Sequence, residues 1–166
     1  MSATKTLCLF VLVLGAFGAA AGAAAGGCAE VQKPVRFTLA AQGNGALDET
    51  VRALAVSGHI AGSVDRQAGI ILTQWRDTGF MYGSVQGATA TIVRRYVLTV
   101  TPTSTGADLI LRADTQRCAQ GTFTVVDGGV LQGACEQLDG LVPKHQEEMD
   151  ALGATLRGAL GPAPRS

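Results

Sequence analysis

Between Thr91 and Ala113 the chain alternates wet and dry with little interruption. In Thr91–Thr101, Ile92, Tyr96, Leu98 and Val100 fall on one side and Val93, Arg95, Val97 and Thr99 on the other. Pro102 to Gly106 has turn composition. Leu109, Leu111 and Ala113 then alternate with Asp108, Arg112 and Asp114. A period of two over this length is a strand signal, and two such runs joined by a short turn form an antiparallel pair. One face of that pair is apolar and must be covered, so the remaining elements are read for what could cover it.

Val35, Phe37 and Leu39 alternate in Val35–Ala40, another strand. A helix is expected over roughly Leu47–Ser57, with Leu47, Val51, Leu54 and Ala55 as its apolar stripe and Gly58 as its C-terminal cap. Asp48 and Glu49 suit its first turn. Ile60–Val64 and Gly69–Trp75 read as a hairpin around Asp65-Arg66-Gln67-Ala68, with Ile71, Thr73 and Trp75 on one face. Asp77–Gln86 lacks clean alternation and is expected as a loop. Thr122–Val126 is a last short strand before Asp127-Gly128-Gly129. A second helix is expected from Pro143 to Leu160, with Met149, Leu152, Leu156 and Leu160 as its stripe. Gly153 and Gly158 within it are expected to permit close approach to the sheet. The expected fold is a two-layer α+β domain. Its antiparallel sheet has about five to six strands, with one short helix and one long C-terminal helix packed on one face.

The N-terminus has a different character. Lys5 precedes the apolar run Leu7–Phe17, and Gly18 to Gly27 contains only Ala and Gly. A basic start, an apolar core and a small-residue tail make a secretory signal peptide. Leu7–Ala25 is about long enough to span a bilayer, but its weakly hydrophobic Ala/Gly half argues against that. The end of the run, Ala25-Gly26-Gly27-Cys28, resembles the lipobox of bacterial lipoproteins, usually Leu-Ala-Gly-Cys, with Ala25 where Leu is usual. The resemblance implies cleavage before Cys28 and lipidation of its thiol; two or more acyl chains give stable membrane anchoring. Ordinary signal cleavage near Ala23–Ala25 and an uncleaved anchor are the alternatives. Ala29 follows the cysteine, which under the enterobacterial sorting rule implies the outer membrane, facing the periplasm. The organisation is then residues 1–27 as signal, 28–34 as tether, 35–161 as a single domain and 162–166 as a disordered tail.

Without its first 27 residues the chain keeps 139, enough for a single domain. The full chain is formally neutral, with 13 basic and 13 acidic residues, and loss of Lys5 leaves the mature chain with a single excess negative charge. Nothing in that balance provides an electrostatic footprint for nucleic acid. Of four cysteines, Cys8 leaves with the signal and Cys28 is the lipid site, so Cys118 and Cys135 remain as a pair. In an exported domain an even pair reads as a disulfide, stabilising by about 3 kcal/mol on the chain-entropy model. A redox or metal pair is the other reading, but there is no CxxC spacing and no nearby histidine.

Three stretches resemble the repeated domain of the BamC-type envelope lipoproteins: Val51-Arg52-Ala53-Leu54, then Val64-Asp65-Arg66-Gln67-Ala68-Gly69-Ile70-Ile71-Leu72-Thr73-Gln74-Trp75, then Arg95-Tyr96-Val97-Leu98-Thr99-Val100. The resemblance covers roughly 35–160, with one domain where that family holds two. It implies a helix-grip fold and an accessory lipoprotein that contacts other envelope proteins. It carries over no binding residue.

Catalytic constellations are hard to assemble. His59 and His145 are the only histidines, and His145 shares the stripe of Met149 and Leu152, as a structural histidine would. Ser57, Ser63, Ser84 and Ser104 lack a nucleophile-elbow context. Asp65 and Asp77 flank a strand as turn residues do. Gly43-Asn44-Gly45 precedes a helix without the lysine of a phosphate-binding loop. No cofactor or metal is expected. The densest apolar cluster is Trp75, Phe80, Met81 and Tyr82; exposed, these would form a partner contact. The chain is therefore expected to be a non-catalytic envelope module that binds a protein partner. A small-molecule or lipid-binding module is the alternative, and an enzyme ranks third.

Overall fold

A computed structural model of the protein describes residues 31–41, 43–126, 130–138 and 143–161. The signal segment, Cys28, residues 127–129 and the expected tail at 162–166 lie outside the described residues. In chain order the elements are β1 (Val35–Leu39), α1 (Gly43–Val56), β2 (Ala61–Asp65), β3 (Ile70–Thr73), β4 (Arg76–Val85) and β5 (Ala88–Pro102). They continue with β6 (Ala107–Ala119), β7 (Thr124–Val126), β8 (Val130–Gln132), β9 (Cys135–Gln137) and α2 (Pro143–Leu160).

The long alternating pair is the spine. β5 and β6 run antiparallel in unbroken register from Ala90↔Ala119 to Pro102↔Ala107. β1 pairs with β6, β3 with β5 and β2 with β3, giving the order β1-β6-β5-β3-β2; β4 also pairs with β5 and β9 with β6. All these pairings are antiparallel. β7 and β8 form a separate two-stranded sheet. The expected α+β architecture is present, with a seven-stranded main sheet and a long C-terminal helix.

Both helices contribute to one core. Leu39, Ile71, Leu98, Leu109 and Leu111 from the sheet meet Leu54, Met149 and Leu156 from the helices, all fully buried. On α1 the buried stripe is Ala46, Leu47, Thr50, Ala53 and Leu54, while Ala55 is exposed. Three-residue spacing from Thr50 to Ala53 accounts for that exchange, since 3.6 residues per turn carries position 55 past the core. Gly58 caps α1 at φ +80°, and His59 N–H donates to Leu54 O at 2.8 Å. Gly153 lies so close to β1 that an added Cβ would sit 2.5 Å from Val35 Cγ1, whereas Gly158 has open space around it. Only the first of these glycines serves close approach.

Asp77–Gln86, expected as a loop, is mostly strand β4. Its register against β5 slips between Asp77 and Met81 and again between Met81 and Ser84, and Gly79 and Gly83 have positive φ. Bulges of this kind erase the two-residue period while keeping the chain paired. A third irregularity separates β3 from β4. Leu72 faces Val97 and Arg76 faces Arg94, so three residues, Thr73 to Trp75, span what Arg95 and Tyr96 span on β5. The extra residue reverses the facing of the residues that follow it, until the slip between Met81 and Ser84 inverts it again. Ile71 and Thr73 stay toward the helices, but Trp75 turns to the opposite side. There it packs with Val93 and Cys118, beneath Phe123, Leu131 and Cys135.

Candidate functional site

Cys118 and Cys135 are cross-strand partners on β6 and β9, joined by a disulfide. The bond closes the segment that carries β7 and β8, and the Trp75 cluster packs against it. The pairing is as expected, and its surroundings are structural.

The aromatic cluster is divided by the sheet. Trp75 is only 6% exposed, with the Arg95 guanidinium 4.6 Å above its ring. It is a packing residue and does not belong to an exposed contact. Phe80 and Met81 are exposed, at 38% and 61%. Met81 is registered with Thr91, and Phe80 meets the ring of His145 on α2 edge-on at 5.8 Å. Tyr82 follows on the same strand, half-buried.

A polar cleft lies on the helix side of the sheet, where α2 passes over β5 and α1 ends. It consists of two adjoining hollows that share His59, Arg94 and Tyr96. The first, about 230 Å³, is also lined by Thr73, Arg76 and Asp77. The second, about 400 Å³, runs along Glu148, Ala151, Leu152 and Thr155. The bulge at Thr73–Trp75 helps to make the first hollow, because it brings Arg76 opposite Arg94 on the inner face.

Arg94 is the centre of the cleft. It occupies an inward register position between Ile92 and Tyr96, and its side chain is 11% exposed. Nη2 donates to Glu148 Oε2 at 2.6 Å, and the guanidinium lies 5.1 Å from the Tyr96 ring centroid. Its Nη1 is buried without a hydrogen-bond partner among the described residues, as are His59 Nδ1 and His145 Nδ1. The His59 ring stands edge-on to Tyr96 at 5.1 Å. Arg76 Nη1 donates to Gly58 O at 2.9 Å, tying β4 to the end of α1.

These contacts set the charges. Burial pulls the His59 pKa below the ordinary imidazole value, and Arg76 and Arg94 pull it further. Burial likewise lowers His145, with Arg94 and Lys144 adding to the effect and Glu148 opposing it. Burial alone would raise Glu148, but the hydrogen bond and charge of Arg94 hold it below the usual carboxylate value. Burial raises the Tyr96 phenol. The cleft thus combines the guanidiniums of Arg76 and Arg94 with the carboxylate of Glu148, which pairs with Arg94. Among the described residues no group of three or more His, Cys, Asp or Glu is placed to hold a metal.

The other candidates serve local structure. Asp65 Oδ1 accepts from Gln67 N–H and Ala68 N–H, closing the β2–β3 turn. Asp77 Oδ1 accepts from Gly79 N–H and from Thr91 Oγ1. Ser57 Oγ donates to Leu54 O at the end of α1. Sequence reasoning passes over Arg76, Arg94 and Glu148. The available signal is Arg94 itself, a charged residue in the dry register of an otherwise apolar strand.

No described helix is long and apolar enough to cross a membrane. No protein-family model matches the chain, and no curated protein matches it. Among solved structures, a DUF4468 family protein from Bacteroides ovatus ATCC 8483 is similar with a TM-score of 0.42 and 13% sequence identity, over 81% of this chain and 88% of that one.

Proposed function

We propose that this chain is a lipid-anchored envelope protein, tethered through Cys28 to the outer membrane, whose domain works by binding another protein and not by catalysis. The signal-like N-terminus and the paired cysteines support the compartment, since structural disulfides belong to oxidising environments. The observation that carries the binding role is the exposure of Met81 beside Phe80 on β4. A large apolar residue 61% exposed is the kind of anchor that partner surfaces use, and Phe80, 38% exposed, precedes it on the strand. Among the described residues β4 pairs with β5 and with no other strand, leaving its outer edge without a strand partner there. The bulges and the positive-φ glycines twist that edge away from simple strand addition, leaving side chains to make the contact.

The test is in-envelope photo-crosslinking from position 81, with position 112 on an exposed site of β6 as the control. The expected result is one specific protein adduct from position 81 and none from position 112. No protein adduct, with a lipid or metabolite copurifying instead, would reverse the assignment.

A further inference from the structure

We propose that the hollow bounded by His59, Arg76, Arg94 and Tyr96 binds the carboxylate of a small organic acid, whose apolar stem lies in the adjoining trough over Ala151 and Leu152. The inference goes beyond the protein-binding role and rests on different residues.

A buried guanidinium is costly unless its charge and its donors are matched. Arg94 is matched on one side only: Nη2 meets Glu148, while Nη1 meets no acceptor among the described residues. Arg76 brings a second positive charge to the same hollow and forms no ion pair among the described residues; its hydrogen bond goes to a neutral carbonyl. His59 adds a further unpartnered ring nitrogen. Two buried nitrogens on residues that line the hollow, Arg94 Nη1 and His59 Nδ1, thus lack a partner among the described residues, and the exposed Arg76 adds a second positive charge beside them. Buried polar atoms in folded proteins are nearly always satisfied, so such a set calls for an acceptor from outside.

The shape and charge of the space select the class of acceptor. About 230 Å³ accommodates a carboxylate and a few further atoms, given that a water takes about 30 Å³. Asp77 lines the same hollow and Glu148 borders its neighbour. Glu148 already pairs with Arg94, so the two guanidiniums leave about one positive charge for a ligand, which a monoanion matches. Arginine forks also fit the planar carboxylate. The second hollow, about 400 Å³, continues past Arg94 and Tyr96 onto the helix surface at Ala151, Leu152 and Thr155. An acid head with a short apolar stem fits both.

The same chemistry is presented by a free short-chain acid and by the C-terminal residue of a peptide. Hexanoate and acetyl-Ala-Ala-Leu probe the two, and hexanamide removes the charge while keeping the stem. The test is titration of the mature protein, followed by calorimetry and by the His59 ring resonances. Hexanoate or the peptide is expected to bind and shift His59, and hexanamide is not; the tighter of the two acids identifies the source. Arg76→Gln, at an exposed position, is expected to weaken binding about tenfold, as loss of one charged hydrogen bond does. Arg94→Gln is expected to abolish it; should that variant unfold, His59→Phe with Arg76→Gln takes its place. Absence of binding by both acids, equal binding of hexanamide, or unchanged affinity in Arg76→Gln overturns the inference. None of these readouts involves Met81, so a failed crosslink and an empty cleft are separate results.

Discussion

The guanidinium of Arg95 lies over the indole of Trp75, and Asp114 on the next strand holds it there at 2.8 Å. The stack sits on the sheet face opposite the helices and exists because one extra residue separates β3 from β4. Trp75 therefore closes a second, smaller core together with Val93 and Cys118. Trp75→Ala is expected to cost about 3–5 kcal/mol, as aromatic truncation in a packed core does. Arg95→Ala should cost far less, about 0.5–1 kcal/mol. Urea denaturation followed by circular dichroism measures both. Trp75 is the only tryptophan, so native emission should be short-wavelength and shift red on unfolding. A red native spectrum, or a Trp75→Ala cost under about 1 kcal/mol, would place that ring at the surface.

Two glycines in α2 should respond in opposite senses. An alanine at 153 would press on Val35 of β1, so Gly153→Ala is expected to destabilise by about 1–3 kcal/mol. Gly158 faces open space in a regular helix, so Gly158→Ala is expected to stabilise by about 0.5–1 kcal/mol. Thermal unfolding of the two variants side by side decides this. The same sign for both would contradict the packing of α2 on β1.

The cross-link between β6 and β9 joins residues 17 apart. Replacing both cysteines with alanine is expected to lower stability by about 3 kcal/mol on the chain-entropy model. Because Cys118 is fully buried against Trp75, the loss should also redden the native tryptophan emission. Unchanged emission would mean that the β7–β9 segment packs independently of the bond.

Acid should weaken the fold in two windows. His59 and His145 are held below the ordinary value of 6.5, chiefly by burial. In the unfolded chain each takes up a proton near that value, while the folded protein resists it. Unfolding then binds protons, and stability falls as pH drops from about 6.5 through the folded values, levelling off below them. The lowered Glu148 adds a separate loss beneath 4.5, as pH falls through its own folded value. Denaturation midpoints from about pH 7.5 to about pH 5.5 should decline in the parent, and less in His145→Gln. An equal decline in both would remove His145 from the account.

The fold is legible in the sequence wherever its period is regular. β5 and β6 keep an unbroken pairing register over more than ten residues each, and the stretches that alternate, Tyr96–Val100 and Ala107–Leu109, come out facing as their residues imply. The α2 stripe is legible for the same reason. β4 is not, because Gly79, Gly83 and the register slips scramble its alternation while its pairing survives. Alternation alone puts Trp75 on the wrong face, because a single inserted residue inverts parity without leaving a composition signal. Beyond Arg94 in a dry register, the cleft leaves no trace in the sequence, because it joins Arg76, Arg94 and Glu148 across three elements and no spacing in one dimension brings them together.

The compartment and the partner both depend on how the chain begins. Mass spectrometry of the N-terminal peptide, from native protein extracted from membranes with detergent, tests this directly. The expected species starts at Cys28 and carries a diacylglyceryl thioether with or without an N-terminal acyl chain. An unmodified peptide that begins upstream of Cys28, from protein recovered without detergent, would contradict the lipid anchor and with it the proposed envelope role.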